Sequence, residues 1–220
     1  MPTFLQIILI VMLSYALGAI PTAFLIARYF HRRNIFQLGS GNMGGTNVAR
    51  IMGLHWGIIT ALLDAMKGMV AVYIAQQLVA PDAWAMASVI AALAAVAGHN
   101  WSLFASALYS FFNREWSVRG GKGAATAYGT MIMLLPPTPV LMVLVVGVTL
   151  AVFTRYASLS VLVSFSVALI WSLFLILRDD LERTYIPYIF ILSILIAWRF
   201  RENIQRLLAG SERKLGERVA

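Results

Sequence analysis

The chain has 220 residues, 60% of them hydrophobic and 12% charged, with a net charge of +8 and a mean hydropathy of +0.81. A soluble domain carries about 25% charged residues, so this composition excludes a soluble globular protein and marks an integral membrane one; the basic excess then reports topology, not nucleic acid. The absence of cysteine excludes disulfides, thiolate metal sites and a thioester-forming nucleophile.

In chain order, the first apolar run covers residues 3–27. No basic residue precedes it and it is too long for a signal-peptide core, which predicts a retained first span. Residues 39–50 follow as GSGNMGGTNVAR. The glycines permit close backbone approach, Ser40, Asn42, Thr46 and Asn47 offer neutral hydrogen bonds, and Arg50 offers a planar fork suited to phosphate. Such a loop is either a flexible connection whose glycines only turn the chain, or an anion-binding nest.

A second run, 56–80, carries Asp64 and Lys67, three residues apart on one helix face. They form either a buried pair that positions the span or a direct substrate contact. The third run, 83–109, reads as one further span and contains Gly98-His99-Asn100. His99 is a candidate base or ligand, or a packing residue hydrogen-bonded near a helix end. His31, His55 and His99 are too scattered for a metal site, and none is predicted.

Residues 119–126 read RGGKGAAT, with Gly120, Gly121 and Gly123 around Lys122 and Thr126 near a helix start. This is not a Walker A loop, since Gly123 follows Lys122 and position 117 is Ser. Two glycine loops with a cation each predict two anion pockets. The next apolar run, 124–153, is interrupted by Pro136, Pro137 and Pro139, which predicts a hairpin of two helices of about 13–15 residues, roughly 20 Å each. The motif Thr-Arg-Tyr-Ala-Ser, carrying Arg155 and Ser158, leads to runs at 158–177 and 185–198. From about 199 to 220 the chain is a charged amphipathic tail, read as a solvated or surface-lying helix in preference to a dedicated site.

Charge sets the predicted orientation. Seven spans with the N-terminus outside place 14 of the 17 basic residues inside; the exceptions are Lys67 within a span and Arg178 and Arg183 outside. The fold class expected is therefore an all-α membrane protein, one domain over 1–220, with about seven helices, its polar loops on the inner face and a cytoplasmic tail. No His-x4-Asp dyad and no Gly-x-Ser-x-Gly elbow is present, so acyl transfer here requires a donor that arrives activated.

The segments SGNMGGTNVAR, LLDAMKG, AGHN, GGKGAAT, TRYAS and RENIQRLLAG stand in the order and spacing of the bacterial acyl-phosphate:glycerol-3-phosphate acyltransferases. The chain resembles that family from the first span to about Gly210. The resemblance implies a seven-span enzyme of the bacterial inner membrane. It would move a fatty acyl group from acyl phosphate to the 1-hydroxyl of glycerol 3-phosphate, giving 1-acylglycerol 3-phosphate and phosphate. It also implies no metal or cofactor, no direct use of acyl-CoA, and a functional link to an enzyme that produces acyl phosphate. Carried onto these positions, Lys122, Ser158 and Asn203 are the catalytic candidates. Ser40, Gly41, Asn42, Thr46, Asn47 and Arg50 form one phosphate pocket. Gly120, Gly121, Gly123 and Thr126 belong to the other, and Lys67, His99 and Arg155 complete the polar cavity.

The sequence departs from the family pattern at Met43, Gly45 and Trp101-Ser102, in extra residues around 105–117, and at Phe200, where the family often carries His before Arg-Glu-Asn-Ile. These departures keep three other readings open: a small anion or lipid transporter, a non-catalytic scaffold on the same fold, or an acyltransferase using acyl-CoA. The confinement of the polar motifs to one face favours an interfacial enzyme over a transporter.

Overall fold

The computed structural model describes residues 1–217. Within them the backbone is helical, and the single β-bridge, Ser102 with Arg119, belongs to no strand. Helix α1 (Phe4–Ala19) opens with a capping box in which Thr3 and Gln6 satisfy each other's backbone amides. It is interrupted at Ile20-Pro21 and resumes as α2 (Thr22–His31). After the first glycine loop come the short α3 (Gly45–Met52) and the long α4 (Leu54–Gln77). Helix α5 (Trp84–Asn100) returns the chain to the same end.

The run at 83–109 is not one span. It breaks at Trp101-Ser102, where Ser102 Oγ donates to the Ala19 carbonyl (2.5 Å) and accepts from the Ala105 amide (3.0 Å), starting α6 (Leu103–Asn113). Helix α6 leaves Leu103, Phe104 and Phe111 exposed as an apolar face. The prolines do divide 124–153 in two, but unequally. Helix α7 (Ala124–Leu134) has 11 residues and α8 (Pro137–Thr154) has 18, because the break falls at Leu135-Pro136, ahead of the proline cluster's midpoint. Helix α7 packs on α4 and α5, whereas α8 packs on α9 (Ala157–Leu177). Helix α10 (Ile186–Arg199) and α11 (Arg201–Leu208) finish the helical part with a 59° bend between them.

Five segments are long and apolar enough to cross a bilayer: Phe4–His31, Leu54–Gln77, Pro81–Asn100, Pro137–Thr154 and Ala157–Leu177. The bent pair α10–α11 makes a sixth, and α7, at 11 residues, falls short of a bilayer by itself. The tail is also not a solvated helix throughout. Helix α11 ends at Leu208, Gly210 turns with φ +67°, and residues 211–217 fold back over the end of the bundle.

Lipid tails give apolar helices little reason to associate, so contact rests on small residues that bring backbones together. A Cβ on Gly129 of α7 would lie 1.9 Å from the Ala65 carbonyl oxygen of α4, and one on Gly98 of α5 would lie 2.2 Å from the Tyr15 carbonyl oxygen of α1. These contacts fix α1, α4, α5 and α7 as the central group. Gly129→Val forces α4 and α7 apart. It is expected to lower the melting temperature in detergent by the equivalent of about 1–3 kcal/mol, and an unchanged melt would refute the contact.

Candidate active site

One end of the bundle encloses a cavity of about 850 Å³. It lies where α4, α7 and α9 begin and α5 and α10 end, which is why motifs far apart in sequence meet there.

The first glycine loop is built around Asn47, which is buried. Its Oδ1 accepts from the Ser40 amide (3.0 Å), and its Nδ2 donates to the carbonyls of Leu38 (3.2 Å) and Asn42 (3.0 Å). Asn47 is therefore a scaffold residue, its amide fully used by the loop. Ser40, Gly41, Asn42 and Thr46 face the cavity beside the first turn of α3. Arg50 also lines the cavity and donates to the Arg213 carbonyl (3.3 Å). Burial lowers its guanidinium from the ordinary range; Glu212 opposes this, Arg213 and Arg206 add to it, and Glu217 opposes it again.

The second glycine loop lies directly on the C-terminal turn of α5. The Gly121 amide donates to the His99 carbonyl (2.9 Å), and the Arg199 guanidinium donates to the Gly121 carbonyl (2.5 Å). A Cβ on Gly120 would sit 2.2 Å from the Asn100 carbonyl oxygen, and one on Gly121 would sit 1.9 Å from His99 Nε2. With its backbone so seated, the loop turns the Lys122 side chain into the cavity, where Nζ donates to Asn203 Oδ1 and lies 4.9 Å from the centre of the Phe200 ring. Burial lowers the Lys122 ammonium to about 8, with Arg206 lowering it, Glu212 and Glu202 raising it and Arg199 lowering it.

Ser158 and Asn203 also line the cavity, and both are buried. Each donates to Glu212 Oε1, at 3.1 Å and 2.8 Å, while Arg206 Nε donates to Glu212 Oε2 at 2.8 Å. Glu212 and Arg206 are the residues that sequence reasoning missed. The available signal was an acid two residues after a glycine that ends the last helix, in a stretch where basic residues outnumber acidic ones.

Four expected site residues stand outside the cavity. Lys67 pairs with Asp64 at 2.8 Å and donates to the Ile20 carbonyl at 3.1 Å, which turns it toward α1. Thr126 is fully buried where α7 packs on Gly68 of α4. Gly121 faces His99, and Arg155 is exposed and held on the Leu215 carbonyl at 3.1 and 2.7 Å. His99 does line the cavity, with its Nδ1 3.7 Å from Asp64 Oδ1.

A helical membrane bundle with a cation-lined cavity at one end, faced by two glycine loops, defines a membrane-embedded site for anionic substrates. The comparisons with known proteins give that class its family. The family profile described as glycerol-3-phosphate acyltransferase matches residues 8–210. Glycerol-3-phosphate acyltransferase 2 of Moorella thermoacetica is 36% identical, covering 96% of this chain and 98% of the relative. Glycerol-3-phosphate acyltransferase of Halalkalibacterium halodurans is 38% identical, covering 96% of each. Among solved structures, PlsY, an integral membrane glycerol 3-phosphate acyltransferase, superimposes in its glycerol 3-phosphate form with a TM-score of 0.79, at 30% identity and 96% of both chains. Its lysophosphatidic acid form gives a TM-score of 0.77. The chain belongs to the glycerol-3-phosphate acyltransferase family. It is a membrane acyltransferase of phospholipid synthesis, and the transporter and scaffold readings fall away.

In the role the family resemblance gives it, Lys122 would serve an anion only while protonated, so its depressed pKa would have a kinetic consequence. With the cation present below about 8 and lost above it, kcat/KM for glycerol 3-phosphate is expected to fall as pH rises through about 8. A Lys122→Arg enzyme is expected to lose that limb, because guanidinium stays charged throughout. A profile level from pH 7 to 10 in the wild type would overturn this role.

Proposed function

We propose that the donor is acyl phosphate, and that the chain transfers its acyl group to the 1-hydroxyl of glycerol 3-phosphate, giving 1-acylglycerol 3-phosphate and phosphate. The observation that carries this reading is the pairing of Arg50 beside one glycine loop with Lys122 within the other, across one cavity. Two phosphates in one site need two sets of positive donors. The cavity side chains include no serine or threonine hydrogen-bonded to a histidine among the described residues; Ser158 donates to Glu212 and His99 faces Asp64. Covalent catalysis is thus poorly served, and a mixed anhydride does not need it.

In the proposed step the 1-hydroxyl oxygen attacks the acyl carbonyl carbon, the bond from that carbon to the phosphate oxygen breaks, and the hydroxyl proton ends on the departing phosphate. Lys122 offsets the charge growing on that phosphate, and the site's main contribution is alignment of hydroxyl and carbonyl. Ala124, Ala125, Tyr128, Ala157 and Val161 give the cavity an apolar wall along which an acyl chain can lie.

The same reading places the cavity at the cytoplasmic face of the bacterial inner membrane, with seven spans and the N-terminus outside. The native chain has no cysteine, so single-cysteine labelling needs no background removal. A cysteine at Asp180 is expected to react from outside and one at Ser211 from inside; the reverse pattern would overturn the orientation.

The donor is tested with purified protein and labelled glycerol 3-phosphate, offered palmitoyl phosphate, palmitoyl-CoA or palmitoyl carrier protein in parallel. Lysophosphatidate from palmitoyl phosphate alone is expected, and product from palmitoyl-CoA at equal rate would sink the proposal. Lys122→Met is expected to lower turnover by at least about 10²-fold, the scale of a lost charge-stabilising donor, with membrane insertion intact.

A further inference from the structure

The tail enters the cavity through one acid. Glu212 is 4% exposed at its side chain and accepts three hydrogen bonds, from Asn203 Nδ2, Ser158 Oγ and Arg206 Nε. These contacts are not the tail's only tethers. Its backbone is already held by Arg50 on the Arg213 carbonyl, and by the Leu215 amide on the Arg155 carbonyl (2.6 Å) together with the reciprocal Arg155 guanidinium contact. Beyond tethering, the Glu212 side chain orders three residues that line the cavity.

We propose that Glu212 is a positioning residue for the acyl transfer, fixing Asn203 with its amide oxygen on Lys122 and holding Ser158 and Arg206 at the cavity wall. The logic is donor against acceptor. An ammonium can only donate and a carboxylate can only accept, so an amide placed between them has one permitted orientation. Asn203 sits in that position, with Oδ1 receiving Lys122 and Nδ2 donating to Glu212. A glutamine at 212 offers both a donor and an acceptor, and the orientation is no longer determined.

Charge adds a second effect. The charged groups facing Lys122 are Arg206 and Glu202 of α11, Arg199 of α10 and Glu212 of the tail. Glu212 is an acid that works against the burial of the Lys122 ammonium, so removing its charge extends the range of pH over which Lys122 is neutral. No histidine shares the task at position 200, where Phe200 presents its ring to Lys122 instead.

This proposal rests on the acyl-phosphate reading only for the choice of donor in the assay. In Glu212→Gln, kcat/KM for glycerol 3-phosphate at pH 7 is expected to fall at least tenfold, and the alkaline descent to move to lower pH by about one unit. A profile matching the wild type within twofold would overturn the proposal. So would Glu212→Ala with tighter glycerol 3-phosphate binding and unchanged kcat, which would make the carboxylate a competitor for the phosphate subsite. A swapped pair tests the contact itself. Asn203→Asp sets two carboxylates together and is expected to inactivate, whereas Asn203→Asp with Glu212→Gln restores a donor–acceptor pair and is expected to recover at least tenfold over the single variant. Should Glu212→Gln not fold, the double variant decides: no recovery over Asn203→Asp overturns the contact. A wild type active only with another donor would sink the acyl-phosphate reading and leave this test to be run with that donor.

Discussion

Lys122 stands in the cavity because its loop can lie on the end of α5 without an intervening side chain. Ordinary loop packing keeps backbones apart by the width of two Cβ atoms. Here the Gly121 amide reaches the His99 carbonyl, and Gly120 passes the Asn100 carbonyl at a distance no Cβ allows. The carbonyls at the end of α5 gain a partner that the helix itself cannot supply. Arg199 closes the arrangement from the far side by donating to Gly121, its guanidinium 5.8 Å from the rings of both Trp101 and Trp198. Three elements distant in sequence are thereby referred to one short stretch of backbone.

From that point outward the site is an electrostatic balance. Arg50, Lys122, Arg206 and Arg213 face the cavity, and Glu202 and Glu212 supply the nearby negative charge. The positive excess suits phosphates, and burial makes that excess costly to hold empty. The buried trio of Asp64, Lys67 and His99 borders this balance, since Asp64 and His99 also line the cavity. It links α4 to α1 and α5, with Asp64 paired to Lys67 at 2.8 Å and His99 3.7 Å from the same carboxylate oxygen.

Much of this architecture was legible in the residues. The 54–77 helix follows from the apolar run at 56–80, which Asp64 and Lys67 do not break, and the division of 124–153 follows from three prolines. The glycine loops marked the cavity they now line, because few other polar stretches compete for that role. What escaped were features decided by tertiary contacts. The break between α5 and α6 depends on Ser102 donating to Ala19, more than eighty positions away, and no local breaker marks it. Asn47 and Ser40 look equivalent on paper and both line the cavity, yet the Asn47 amide is engaged by the loop backbone. Lys67 carries the right charge, but the side of α4 it occupies points to α1. Glu212 was hidden by its surroundings, since a charged tail after the last apolar run reads as solvated until the chain is seen to fold back.

The unequal division at Leu135-Pro136 has a consequence for traffic. Because α7 stays with α4 and α5 while α8 goes with α9, the apolar wall of the cavity runs along a seam between two helical groups. Ala124, Ala125 and Tyr128 stand on one side of it, Ala157 and Val161 on the other. A polar reactant comes and goes through the mouth of the cavity, but a molecule that has just gained a long tail is already half in oil. In the proposed reaction such a product would leave by lateral diffusion, its head crossing only the width of the seam. On that reading the protein would work as a port between a three-dimensional supply and a two-dimensional store, and the tail would never have to pass through water.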